Sequence, residues 1–229
     1  MLSKQNFTPE LCVIIPAAGA GHRMKSYGPK ALIPVGNMSL IEKQIKQIWS
    51  IYPGAEIIVV VGFEAEKVRR SLAKHKVRFV LNPIYEKTNV LYSLGLGLQA
   101  TTCDEVLIVY GDLVFNKHAI KNIRGISKVV SEGRGLFSKH EVGLTVQNKQ
   151  VTNFAFGLET KWAQIVYMKD KELELFQEIS LRKDTSQWFG YEGLNYVIDS
   201  GGRLDAVSPK LMDIFEIDRI KDLKKIKRP

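Results

Sequence analysis

The stretch VIIPAAGAGHRMKSYGPKALIPV, Val13 to Val35, decides how the rest of the chain is read. An apolar run suited to a buried strand gives way to alanines and glycines with almost no side-chain bulk, so their backbone amides can come close to a ligand. Arg23 and Lys30 add positive charge to that opening. Such a segment suits an anion, and a polyphosphate best of all. Neither common phosphate motif is present. A P-loop needs Gly-Lys-Ser/Thr, but Lys30 stands between Pro29 and Ala31; the dinucleotide fingerprint needs a glycine three positions after Gly21, where Met24 stands. An ordinary strand-to-helix turn with solvated charges is the alternative.

Outward from this stretch, apolar β-branched runs recur at CVIIPA, EIIVVVG, VRFVL and EVLIVYGD, and each gap holds a helix or a long loop. The alternation predicts an α/β fold: a doubly wound, mostly parallel, Rossmann-like sheet with helices on both faces. Ile41, Ile45, Ile48 and Tyr52 fall at helical spacing behind Ser39, a possible cap. FEAEKVRRSLAKH and NVLYSLGLGLQAT predict two more helices, with Gly95 and Gly97 in the second allowing close packing. Beyond Asp112, VGLTVQNKQVTNFAF predicts a hairpin around Asn148 and Lys149, KWAQIVYM a strand, and KDKELELFQEISLRK and SQWFGYEGLNYVID two helices before a short strand at Leu204 to Val207. The organisation expected is a single domain over 1–229. Residues to about 125 form a nucleotide-binding half, and about 126–229 form a small antiparallel acceptor-binding elaboration.

Length and composition are those of a globular protein, with 229 residues, 45% hydrophobic and 25% charged. No apolar run approaches the roughly 20 residues that span a bilayer, and MLSKQNFTPE lacks a signal-peptide core. A cytoplasmic protein that does not engage a membrane is expected. Cys12 and Cys103 have no metal-ligand spacing and suit reduced, partly buried thiols. The net charge of +9 suits nucleotide or nucleic acid, although much of it lies in the tail KDLKKIKRP.

In a doubly wound sheet, ligands collect beyond the carboxyl ends of the strands. The fourth apolar run ends in Gly111-Asp112, and a carboxylate there, beside a glycine that opens space, suits Mg²⁺; a turn aspartate is the alternative. In DIFEIDRIKDL, Glu216 and Asp218 alternate with Phe215 and Ile217, which puts both carboxylates on one face of a late strand. Asp218 is also placed to cap the following helix.

Taken together, PAAGAGHRMKSYGPKAL, NPIYEKTNVLYSL, VYGD and FEIDRIKDL, in this order and at these separations, resemble the nucleotidyltransferases that make nucleotide-activated sugars and alcohols. Within that family KTNVLYSL and FEIDRIKDL look most like the phosphocholine-type cytidylyltransferases. The resemblance covers nearly the whole chain. His22 departs from the small residue common before the arginine, and the QxxPxGTA of the sugar branch is missing. The resemblance implies that Ala18, Gly19 and Gly21 line the nucleotide, that the catalytic Arg23 and Lys30 hold its phosphates, and that Asn82, Thr88, Asn89 and Ser93 lie near base and ribose. It implies Mg²⁺ on Asp112 and Asp218, with CTP or another triphosphate and a phosphorylated small molecule as partners. Helix capping remains the alternative for Thr88, Asn89 and Ser93, and a turn before Pro83 for Asn82.

The resemblance places the acceptor in the second half, where Trp162, Tyr167, Trp188, Phe189, Tyr191 and Glu192 cluster. Aromatic faces with a carboxylate suit a cationic amine, and Trp188, Tyr191 and Glu192 are the expected acceptor residues; core packing is the alternative for each aromatic. Phosphocholine, phosphoethanolamine, an aminoalkylphosphonate, another phosphorylated amine and a sugar 1-phosphate stay open. A non-catalytic nucleic-acid or nucleotide-binding module is the rival class. The basic charge motivates it, but there is no stripe of interleaved basic and aromatic residues, so no nucleic-acid partner is expected. The oligomeric state is left open, a homo-oligomer included.

Overall fold

In the first strand every residue from Cys12 to Ile15 is buried, because the strand has neighbours and helices on all sides. This computed structural model describes residues 9–21, 28–134, 139–218 and 222. The strands are β1 (Cys12–Ala17), β2 (Pro34–Val35), β3 (Met38–Ser39), β4 (Glu56–Val61), β5 (Arg78–Leu81), β6 (Glu105–Val109), β7 (Leu113–Phe115), β8 (Lys128–Arg134), β9 (Val142–Gln147), β10 (Gln150–Phe156), β11 (Thr160–Lys169), β12 (Asp205–Val207) and β13 (Ile214–Glu216). The helices are α1 (Leu40–Ile51), α2 (Ala65–Ser71), α3 (Val90–Gln99), α4 (Asp170–Ser180) and α5 (Gly190–Asp199).

One nine-stranded sheet runs in the order β5-β4-β1-β6-β11-β8-β12-β10-β9. From β5 to β6 all neighbours are parallel, which is the doubly wound half expected from the apolar runs. At β11 the direction reverses: Ile165 lies opposite Val109, and Lys169 opposite Glu105. The antiparallel elaboration is thus a continuation of the same sheet, not a separate layer, and it contributes the other five strands, among which β8 and β12 run parallel. The β9–β10 hairpin turns at Asn148 and Lys149, whose φ values of 51° and 69° are the left-handed pair that a two-residue hairpin loop requires.

Alternation along the central strands divides the core. Val13, Ile15, Val59 and Val61 face α1 and α2. Cys12, Ile14, Ile58 and Val60 face α3, α4 and α5. Helix α3 reaches the sheet closely because Gly97 has no Cβ; one there would lie 2.8 Å from the Ile14 side chain. Helix α1 starts at a capping box: the Ser39 hydroxyl accepts from the Glu42 N–H at 3.4 Å, and the Glu42 carboxylate accepts from the Ser39 N–H at 2.8 Å. The Ser39 hydroxyl also donates to the Glu42 carboxylate at 2.7 Å, and this bond together with the one from the Ser39 N–H holds the Glu42 carboxyl below the ordinary carboxylate range. Among the described residues no helix is long and apolar enough to cross a membrane.

Candidate active site

A cavity of about 370 Å³ opens at the carboxyl ends of β1 and β6, where a doubly wound sheet collects ligands. Its first wall is the loop after β1, lined by Ala18, Gly19 and Gly21. Gly21 is left-handed at φ 55°, and a Cβ there would sit 3.1 Å from Cγ of Lys30, so its absence lets the lysine lie along the loop. His22 and Arg23 lie outside the described residues.

Thr88, Asn89 and Ser93 form the side wall, at the start of α3. Asn89 is also the cap of that helix, its Oδ1 accepting from the Val90 N–H at 2.8 Å, so the capping alternative and the wall position coexist. Asn82 does not reach the cavity. It is 1% exposed. Its Nδ2 donates to Thr88 Oγ1 and to Ser93 Oγ, both at 3.0 Å, and its Oδ1 accepts from the Ile84 N–H at 3.1 Å. A buried amide with both its N–H bonds and its oxygen engaged is a bracket behind the wall, holding two hydroxyls that do line the cavity.

The floor carries the charge. Gly111 must be glycine, since a Cβ would fall 2.5 Å from the Pro16 carbonyl oxygen; this close approach delivers Asp112 beside the β1 loop. The β13 strand pairs with β7, Glu216 opposite Leu113, and the Ile217 N–H donates to the Asp112 carbonyl at 2.9 Å. These contacts gather three carboxylates: Asp112, Glu216 and Asp218 each offer an oxygen within 4.8 Å of the others. The alternation seen in the sequence holds, with Ile217 fully buried on the opposite face. The residues that follow Asp218 and would form the capped helix lie outside those described, except Asp222, which accepts from the Asp218 N–H at 3.2 Å.

Lys30 sits in this acidic group: its Nζ is 3.3 Å from Asp112 Oδ2 and 3.1 Å from Asp218 Oδ1. Burial pulls its ammonium down, but the two aspartates outweigh burial and hold it above the ordinary lysine value. Glu216 goes the other way. Burial first, then the charges of Asp112 and Asp218, push its carboxyl up to about 8. Asp112 Oδ1 is buried with no hydrogen-bond partner in the structure. Three oxygen donors, one of them orphaned, make a suitable donor set for a hard divalent cation such as Mg²⁺.

The far wall comes from the antiparallel half: Trp162 and Gln164 of β11, with Phe189, Gly190 and Tyr191 at the start of α5. The Phe189 and Tyr191 rings are stacked at 5.9 Å, and Phe156 of β10 meets Tyr191 edge-on at 5.5 Å. Of the three residues expected to bind the acceptor, Tyr191 lines the cavity, whereas Trp188 and Glu192 do not. Trp188 packs half-buried against the core cluster under α3. Glu192 caps α5, its carboxylate accepting from the Phe189 N–H at 2.7 Å, which explains an acid amid apolar residues. Tyr167 is fully buried in the core. Glu216, a candidate acid in the sequence, lines the cavity, as do Tyr85, Tyr110 and Gln164, to which the sequence assigns no role. A glutamine inside the apolar run of β11 was the signal for Gln164, and the period-2 alternation was the signal for Glu216.

The fold is α/β, with its cavity at the carboxyl ends of the central strands and a carboxylate cluster beside it. The MobA-like NTP transferase domain matches residues 13–130, just over half of the chain, and the chain belongs to that family. Among curated relatives, the bifunctional protein GlmU of Synechococcus sp. (strain JA-3-3Ab) is 44% identical over 104 residues, and GlmU of Pseudomonas entomophila is 37% identical over 103. Each match covers 45% of this chain, and it spans only 17% and 22% of those relatives' lengths. Among solved structures, the CTP:phosphocholine cytidylyltransferase of Streptococcus pneumoniae superposes with a TM-score of 0.78 at 22% identity, covering 95% of this chain and 97% of that one. The inositol-1-phosphate CTP transferase of T. maritima gives 0.76 at 19%, covering 96% and 98%. A putative glucose-1-phosphate thymidylyltransferase of Bacillus anthracis gives 0.76 at 17%, covering 94% and 93%. At these identities the superpositions establish a shared fold.

Proposed function

We propose that the protein transfers CMP from CTP to a phosphorylated small molecule, preferably a phosphorylated amine or an aminoalkylphosphonate, and releases pyrophosphate. The observation that carries this reading is the seam: one cavity joins a small-residue loop, Lys30 with Asp112 and Glu216, and an aromatic wall, and Asp218 completes the acidic cluster beside it. In the reaction a phosphate or phosphonate oxygen of the acceptor forms a bond to the α-phosphorus, and the bond from that phosphorus to the β-phosphate bridging oxygen breaks. The attacking oxygen is already anionic near neutral pH, so the site needs no general base. What it must supply is alignment and stabilisation of charge.

The loop at Ala18 to Gly21 would dock the phosphates through backbone amides, with Lys30 and Arg23 stabilising the charge that builds on the departing pyrophosphate. In the free protein the Lys30 ammonium neutralises the acidic floor; with substrate it would turn to the phosphates. Asp112 and Asp218, with Glu216 as a third donor, would hold Mg²⁺, which when bound neutralises phosphate charge and orients the reacting oxygens. Thr88, Asn89 and Ser93 would face the nucleoside, with Asn82 behind them. The Phe189–Tyr191 stack suits the cationic head of an amine. A sugar 1-phosphate acceptor is the second reading, and the structural likeness to a putative glucose-1-phosphate thymidylyltransferase is what favours it.

The test is a pyrophosphate-release screen of the four ribonucleoside triphosphates with Mg²⁺ against phosphorylated amines, phosphonates and sugar 1-phosphates. Release with CTP and a phosphorylated amine is expected. Turnover of neutral sugar phosphates alone would refute the amine preference, and no release from any triphosphate would refute the transferase reading.

A further inference from the structure

Gln164 departs from the pattern of β11 in two ways. Its neighbours Trp162, Ala163, Ile165 and Val166 are buried apolar residues, while Gln164 is polar and lines the cavity. Its backbone is also left-handed, at φ 56°, in the middle of a strand. The ladder between β11 and β8 shifts register between Trp162 and Val166, so the residue sits in a bulge that re-aims its side chain. A left-handed non-glycine residue inside a strand is strained, and such strain persists where the surroundings hold it in place, commonly beside functional sites.

What holds it here reaches both sources of the acidic cluster. The Gln164 Nε2 donates to Glu216 Oε2 at 2.7 Å, and the Gln164 backbone carbonyl accepts from the Tyr110 N–H at 3.4 Å, two residues before Asp112. A neutral amide is well suited to this task. A second cationic donor would compete with a bound cation, and an apolar side chain would leave a buried carboxylate oxygen without its partner.

We propose that Gln164 is a positioning residue of the acidic cluster: its bulge brings a neutral donor to Glu216 and fixes that carboxylate for a divalent cation. The inference rests on the reading above that the cluster binds a metal. Gln164→Asn separates the two features, because asparagine tolerates the left-handed backbone but is one methylene too short to reach Glu216. Mn²⁺ is titrated into the nucleotide-free protein and followed by loss of the free-ion electron paramagnetic resonance signal, with melting temperature measured alongside. Gln164→Asn is expected to melt like the parent and to bind Mn²⁺ about 10- to 100-fold more weakly, the usual loss for an outer partner of a metal ligand. Gln164→Gly, which relieves the backbone and removes the amide, is expected to show the same loss and serves should the asparagine variant fail to fold. Parental Mn²⁺ affinity in a folded variant would overturn the proposal and leave the bulge a purely structural role. Glu216→Gln and Asp112→Asn distinguish the two levels. If they weaken Mn²⁺ binding while Gln164→Asn does not, only this inference fails; if neither matters, the metal reading fails and takes this one with it.

Discussion

The two halves of the sheet furnish the cavity in different ways. The parallel half, β5-β4-β1-β6, offers loops: Ala18, Gly19 and Gly21 after β1, and Gly111-Asp112 after β6. Its contribution is backbone amides and an absence of bulk, with Lys30, Asp112 and the polar side chains at the start of α3, all beyond the ends of the strands. The antiparallel half offers side chains from inside a strand, Trp162 and Gln164, and an aromatic stack at the start of α5. A parallel sheet covered by helices on both faces exposes only its loop ends. The uneven, bulged β11 can present residues from its middle. The chemistry that every substrate pair shares should therefore lie in the parallel half, and the choice of acceptor in the antiparallel half.

The sharpest way to break this comparison is Asp112→Ala, which should leave the fold intact and lower nucleotidyl transfer by about a thousandfold with every acceptor. Lys30→Ala should cost about a hundredfold, again irrespective of acceptor. Pyrophosphate release by either purified variant at the parental rate would remove the parallel half from the chemistry. Tyr191→Ala tests the other side. It should raise the acceptor KM by about 3- to 30-fold, the range for losing a cation–π contact, and leave the KM for CTP unchanged; equal effects on both would erase the division of labour.

The smallest effect sharpens the contrast by lying outside the cavity. Ser39→Ala should cost about 1 kcal/mol of stability in denaturant unfolding and nothing in turnover. Because the Ser39 hydroxyl and N–H hold the Glu42 carboxyl below its ordinary value, this stabilisation is complete above the ordinary carboxylate pKa and is lost as pH falls through the folded value. The parent should thus lose its advantage over Ser39→Ala on acidification, and an advantage that stays constant with pH would contradict the capping box as its source.

The same contrast explains what could be foreseen from residues alone. Runs such as EIIVVV and EVLIV are apolar on both faces, which few settings other than a covered parallel sheet accommodate, so the parallel half, its loop and Asp112 were legible. Glu216 and Asp218 were legible as a pair through alternation, but their meeting with Asp112 depends on the pairing of β13 with β7, about a hundred residues apart in the chain. Gln164 and Tyr110 enter the cavity through the pairing of β11 with β6, which no local pattern encodes. Glu192 misled because an acid amid aromatics can face a cation or cap a helix, and only the position of the Phe189 N–H separates the two. Asn82 was drawn toward the ligand by its neighbours Thr88 and Ser93, whose hydroxyls it supports from behind.

The most direct measurement is a crystal structure of the protein with CTP and Mg²⁺. The triphosphate should lie along Ala18 to Gly21, with the ion held by Asp112 and Asp218, the cytosine toward Thr88 and Ser93, and the Phe189–Tyr191 stack left free for the acceptor. A nucleotide bound away from that loop, or an ion that touches neither aspartate, would contradict it.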